Sequence, residues 1–232
     1  MSQPRDLIAE AVVFDLDGTL YPTRRAAARS WRLVLRNAAL FRAFREVRIE
    51  IRSIRPIADL HGLQADLVAE RMGITATAAR ALIDDVVYTR LPAALRGVRP
   101  YPGVSRALTA LRDHGAKVGV LSDMPPAAKL GDMGLGRLSC AVTSEATNYL
   151  KPNPEPFGYV SGLLQVRPER TLYVGNDYRY DILGAGAAGM LTAHRARRAE
   201  PGSRAGFTFR RYDSLLQAMG SARIGLPAER SS

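Results

Sequence analysis

Ala11-Val-Val-Phe-Asp-Leu-Asp-Gly-Thr19 joins an unbroken apolar run to two carboxylates and a glycine. A run that is apolar at every position and too short for a helix predicts a strand buried on both faces, as in a parallel sheet. Asp15 and Asp17 follow at once, two residues apart, so both can face one pocket at the strand's C-terminal end. Gly18 gives the chain freedom to turn sharply there. Similar runs recur at 117–121, 140–143, 171–174 and, more weakly, 190–193, with helical stretches near 103–114, 155–164 and 179–188 between them. Strands alternating with helices predict right-handed βαβ units. The expected class is therefore α/β, a Rossmann-like parallel sheet with helices on both faces.

Residues 24–97 break this rhythm. Phe44, Val47, Ile51 and Ile54 recur at helical spacing, and Trp31, Val34, Leu35, Ala38 and Phe41 do the same one segment earlier. Further helical patterns follow near 64–72 and 76–88. The segment reads as all-helical, inserted after the first strand and rejoining the sheet at Arg99-Pro-Tyr-Pro-Gly103, whose prolines suit a stiff hinge. The expected division is a catalytic core of 1–22 and 99–220, a helical insertion of 23–98, and a C-terminal tail of 221–232.

With 232 residues, 47% of them hydrophobic and 24% charged, the chain has the composition of an ordinary globular protein. A single cysteine, Cys140, excludes an internal disulfide framework and a thiolate metal cluster. No apolar run reaches the roughly 20 residues that span a bilayer, and the first residues lack the apolar core of a secretory signal. A cytoplasmic location is the expectation. The net charge of +11 raises the question of nucleic acid. Residues 24–99 hold 15 arginines and 7 acidic residues, a net of +8, and the remainder holds 18 basic and 15 acidic, a net of +3. Arg25, Arg29, Arg32 and Arg36 line one helix face, and Arg45, Arg48, Arg52 and Arg55 another. Each row lies opposite an apolar stripe and reads as the solvated face of an amphipathic helix. No aromatic residues interleave with these arginines as stacking platforms for single strands require, so no nucleic-acid partner is expected.

Four sites fall where parallel strands should end, the edge at which open α/β sheets bind ligands. Asp15 and Asp17 form the first, and Ser122-Asp123 the second. Lys151-Pro-Asn-Pro is the third, with Lys151 one of only three lysines. The fourth is Gly175-Asn-Asp-Tyr-Arg-Tyr-Asp181, where Asp177 and Asp181 can share a helix face. Phosphoryl transfer uses such parts. A carboxylate attacking a phosphate dianion needs a hard cation between them, and Mg²⁺ prefers carboxylates and water. Asp15, Asp177 and Asp181 can supply that site. Ser122 and Lys151 can hold phosphate oxygens, with Gly18 and Asp123 beside them. Asp17 can protonate the leaving oxygen and then activate water.

Asp15-Leu-Asp-Gly-Thr, Ser122, Lys151-Pro and Gly175-Asn-Asp-x-x-x-Asp181, in that order, resemble the four motifs of the haloacid dehalogenase superfamily over about residues 11–195. The resemblance implies that Asp15 forms a phosphoaspartate and binds Mg²⁺. It also implies that Asp17 is the acid/base and offers its backbone carbonyl to the metal. The helical insertion resembles the family's C1 cap, which closes over the site and selects substrates. Members that cleave carbon–halogen or carbon–phosphorus bonds lack the second aspartate, so Asp17 favours a phosphate ester or anhydride of a small metabolite. The fourth motif departs from the common Gly-Asp pattern, because Asn176 directly follows Gly175. Either Asn176 or Asp177 can be the inner ligand, and charge favours Asp177. Phosphomutase chemistry on a sugar phosphate, and a non-catalytic basic binding module, are the alternative functions.

Overall fold

The computed structural model describes residues 7–222 and 224–227, and the expected tail beyond 227 lies outside the described residues. In chain order the elements begin with β1 (Leu7–Ile8) and β2 (Ala11–Phe14). Five helices follow: α1 (Thr23–Arg36), α2 (Ala38–Ile51), α3 (Leu60–Met72), α4 (Ala76–Leu82) and α5 (Leu91–Ala94). A wide π turn over Ile83–Arg90 links α4 to α5. Next come α6 (Val104–Asp113), β3 (Lys117–Ser122), α7 (Ala127–Asp132), β4 (Cys140–Thr143), α8 (Pro154–Leu164) and β5 (Thr171–Gly175). The chain closes with α9 (Gly184–Ala187), β6 (Leu191–Arg195), β7 (Phe207–Phe209), α10 (Leu215–Ser221) and β8 (Ile224–Gly225).

Six strands form one parallel sheet in the order β4-β3-β2-β5-β6-β7, so the expected α/β class holds. β2 lies inside the sheet with all four residues buried, which is why its sequence carries no polar face. Its side chains alternate between two cores. Val12 and Phe14 join Val118, Val120, Leu172 and Val174 against α6 and α10. Ala11 and Val13 join Leu121 and Tyr173 against Phe157, Val160 and Leu164 of α8. The chain crosses from β2 to β3 on one side and reaches β5 on the other, so β2 marks the point where strand order reverses. At such a point the crevice outside the strand ends is open to a ligand.

Helices α1 to α5 lie between β2 and β3. A separate core of Leu40, Phe44, Val47, Ile51, Leu60, Val68, Ile83 and Val87 joins α2, α3 and the π turn, and takes in Leu150 from the sheet side. The stripe from Phe44 to Ile54 is thus a packed face. The earlier stripe is not. α1 ends at Asn37, which separates Ala38 and Phe41 from the rest. α1 instead turns Ser30 and, in part, Ala26 and Leu33 inward. Trp31 and Leu35 remain 54% and 67% exposed.

A second correction concerns the other arginine row. Arg45 is exposed, but Arg48, Arg52 and Arg55 reach across to the sheet domain. Arg48 is buried and pairs with Glu145, and it also donates to the Asp123 carbonyl. Arg52 donates to the Lys151 carbonyl at 2.7 Å and to Asp123 Oδ2 at 2.5 Å, with its guanidinium 4.3 Å from the Tyr180 ring centre. Arg55 pairs with Glu155 and Asn153. Arg48 and Arg52 thus meet anionic and carbonyl groups on the core rather than water, while Arg55 pairs across at the exposed rim. Ile224–Gly225, assigned to the tail, forms a two-stranded parallel sheet with Leu7–Ile8.

Candidate active site

The ladder between β2 and β5 runs one residue past β2, since the Asp15 amide donates to the Val174 carbonyl at 2.9 Å. That bond fixes Asp15 at the sheet's edge. The chain then turns back on itself, with Gly18 donating to the Tyr21 carbonyl at φ +90°, a conformation that favours glycine. A Cβ at Gly18 would also come within 2.7 Å of the Asn176 side chain.

Asp15 is buried. Lys151 Nζ donates to its Oδ1 at 2.8 Å and the Thr19 hydroxyl lies 2.8 Å from its Oδ2. The same ammonium donates to Asp181 Oδ1 at 2.6 Å and to the Tyr173 hydroxyl at 3.1 Å, so its three protons are all used. Asp181 is equally committed, its Oδ2 accepting from the Asp177 amide at 3.0 Å. Gly175 permits this closeness, because a Cβ there would lie 2.2 Å from that of Asp181.

Two carboxylates now share one ammonium away from water. Burial pushes the Asp15 carboxyl up to about 7, with Lys151 opposing and Asp181 adding to the rise. Burial raises Asp181 as well, again against Lys151. For Lys151 burial acts downward, but Asp15 and Asp181 outweigh it and hold the ammonium well above its ordinary value. Lys151 is therefore a fixed cation beside the candidate nucleophile.

Asp17 is more open. Its carboxylate receives Lys129 Nζ at 2.7 and 3.0 Å, the Tyr21 hydroxyl on Oδ1, and a longer contact of 3.4 Å from the Ser122 hydroxyl. Neither Lys129 nor Tyr21 was singled out from sequence. The only signal for Lys129 was its rarity and its place on the helix that follows Ser122. Ser122 is fully buried and accepts from the Met124 amide at 3.2 Å. Asp123, grouped with the phosphate contacts, has a carboxylate that accepts from Ser144, Arg52 and the Lys151 amide. Lys151, Arg48 and Arg52 outweigh its burial and lower it, so it is an anion that anchors the Lys151 loop to Arg52.

The three-carboxylate site expected for a metal is arranged differently. Among the described residues no three of His, Cys, Asp and Glu gather as a ligand cluster. Lys151 stands between Asp15 and Asp181, and Asp177 Oδ1 caps the following turn by accepting from the Tyr180 amide at 2.8 Å. Asn176 is the residue that approaches Asp15. The Thr19 hydroxyl lies 2.8 Å from Asp15 Oδ2 and 2.9 Å from Asn176 Oδ1, and its single proton can serve only one of these oxygens. Two hard oxygen donors thus face the same point, one of them formally charged. Such a donor set fits a hard divalent cation.

The chain matches the haloacid dehalogenase-like hydrolase family over residues 9–189 and belongs to it. Within that family it is a phosphohydrolase. It is 30% identical to glyceraldehyde 3-phosphate phosphatase of Methanopyrus kandleri, over 82% of this chain and 85% of that protein. It is 31% identical to pyrophosphatase PpaX of Anoxybacillus flavithermus over a shorter stretch, 41% of this chain and 46% of the other. The fold resembles a phosphatase of Thermococcus onnurineus, with a TM-score of 0.62 at 22% identity over 93% of this chain and all of that one. A 2-haloacid dehalogenase of Pseudomonas syringae gives a TM-score of 0.66 at 21% identity, over 92% and 99%.

Proposed function

We propose that the protein hydrolyses a phosphate monoester of a small metabolite through a phosphoaspartate on Asp15. The observation that supports this reading best is the meeting of Asp15, Lys151 and Thr19 beside Asp17 and Ser122 at one sheet edge. In the first step Asp15 attacks phosphorus, the bond from phosphorus to the ester oxygen breaks, and Asp17 gives that oxygen a proton. In the second, Asp17 takes a proton from water, whose oxygen attacks phosphorus and frees the Asp15 carboxylate. Ser122 and Lys151 hold phosphoryl oxygens and offset charge that develops on them. Lys129 and Tyr21 keep Asp17 aimed at the reacting bond.

A Mg²⁺ ion would be held by Asp15, the Asp17 carbonyl and Asn176, with Asp177 and Asp181 behind them. It would supply positive charge that lets a carboxylate approach a phosphate dianion. The helical segment of 23–98 serves as the lid that selects substrates, joined to the core by Arg48, Arg52 and Arg55.

Release of phosphate from p-nitrophenyl phosphate tests the reading, with glyceraldehyde 3-phosphate in the same panel because a relative carries that name. EDTA should abolish turnover and added Mg²⁺ should restore it. Full activity in the chelator would overturn the metal assignment. Asp177→Ala and Asn176→Ala compared for the Mg²⁺ concentration they need would separate the two candidate ligands, with Asn176→Ala expected to need more.

A further inference from the structure

A cavity of about 670 Å³ opens beside the catalytic turn, on the side of β6 and β7. Gly18 and Asn176 border it, so it adjoins the site described above. Pro22, Arg24, Tyr101 and Pro102 bound it where the chain leaves and re-enters the sheet domain, and Arg195, Arg197, Arg210 and Arg211 come from the ends of β6 and β7. The residues that line it thus include five guanidinium groups and no carboxylate. Arg211 has an acidic partner, Asp213 at 3.3 Å, but Arg24, Arg195, Arg197 and Arg210 have none among the described residues. Unlike the solvated arginines further along α1, these converge on one concave site.

Arg195 is held in place. It donates to the Gly18 carbonyl at 3.1 Å and stacks 3.5 Å from the Tyr101 ring centre, while its buried Nε has no partner. A guanidinium fixed in this way loses little freedom when an anion arrives. Like charges gathered in a concave site repel one another and focus a positive potential, which a multiply charged anion relieves. Guanidinium forks match phosphate oxygens in pairs. The volume falls within the roughly 300–1,000 Å³ of small-molecule sites, leaving room for an organic body as well as a charged group.

We infer that this cavity binds a second phosphoryl group of the substrate, so that the preferred substrates are bisphosphates or other polyanions rather than simple monophosphates. The inference rests on the phosphatase reading for its substrate role, and on the cavity alone for binding. The catalytic turn would hold the phosphoryl group to be removed, and Arg195, Arg197 and Arg210 the group that stays.

Two measurements separate the parts. Calorimetry on the full chain uses imidodiphosphate, whose P–N–P bridge resists hydrolysis, and orthophosphate. Imidodiphosphate should bind at least about tenfold more tightly. Arg197→Gln/Arg210→Gln should lose most of that margin, while Arg25→Gln/Arg32→Gln, with the same change in net charge but on α1, keeps it. Equal losses in both double variants, or no margin in the wild type, would overturn the site. Turnover then compares fructose 1,6-bisphosphate with fructose 6-phosphate. The wild type should favour the bisphosphate in kcat/KM by about tenfold, and Arg197→Gln/Arg210→Gln should bring the ratio near unity. A ratio near unity in the wild type, with arginine-dependent binding intact, would overturn the substrate role and leave a site for a separate anion. Binding without turnover of any ester would mean that the phosphatase reading has failed while the cavity stands.

Discussion

Asp15 carries one of two buried carboxylates set against a single ammonium, and both its chemistry and its cost follow from that count. If Asp15 is the nucleophile, as proposed, Asp15→Asn keeps the shape and removes the attacking charge, so kcat should fall by about three orders of magnitude or more, with cooperative melting retained. Phosphate release and a thermal melt check the two halves of that statement. The raised carboxyl also links stability to pH. Between the usual 3.8 and about 7 the native protein keeps a proton that the unfolded chain has lost. This contribution is fully present below 3.8 and disappears as pH rises through about 7. In chelator, the melting temperature should therefore fall from about pH 5 to about pH 8 more steeply for the wild type than for Asp15→Asn. Parallel slopes would show that Asp15 is not the group responsible. Asp15, Asp17 and Ser122 were announced by their place at or just past the end of an apolar run. Lys151 and Asp181 lie eight and six residues beyond their strands and were legible only as members of the ordered set. Lys129 and Tyr21 carried no such mark, since a lysine on a helix and a tyrosine after a turn are ordinary surface and core residues until the fold closes.

At the scale of elements, β2, β3 and β5 were readable because strands buried inside a parallel sheet have no polar face to blur the signal, while β4 and β6, less completely buried, showed only as weaker runs. β7 was not readable, since Phe207-Thr-Phe209 is three residues long and lies at the sheet's edge. The helical segment was readable as helix but not as packing. Periodicity identifies a stripe without saying what covers it, so Trp31 and Leu35 looked like core and the arginines of α2 like surface. The inversion has an energetic consequence. Arg48 and Glu145 have side chains only 8% and 2% exposed, so Glu145→Ala leaves a buried guanidinium without its carboxylate. Such a loss costs about 3–5 kcal/mol, whereas Arg80→Ala, which breaks a pair half exposed on both sides, should cost no more than about 0.5 kcal/mol. Urea denaturation of the two variants reads the difference. Similar small losses would mean that the Arg48 pair is hydrated.

For the whole molecule, the excess of positive charge divides into arginines that bind protein, arginines that line a cavity, and arginines that face water. α1 holds the last kind. Arg25→Gln/Arg32→Gln should leave kcat/KM for p-nitrophenyl phosphate nearly unchanged from low salt to beyond about 0.1 M, where the screening length is about 10 Å. A steep wild-type salt slope that flattens in this variant would instead make α1 a steering surface. The place where the helices leave and rejoin the sheet has a different implication. The Tyr101 amide donates to the Leu20 carbonyl at 2.9 Å, so the two passages of chain are fastened to each other before any helix is considered. A segment whose two ends meet in one backbone bond is modular. It can lengthen or shorten without disturbing strand register, because the strands on either side are already tied together.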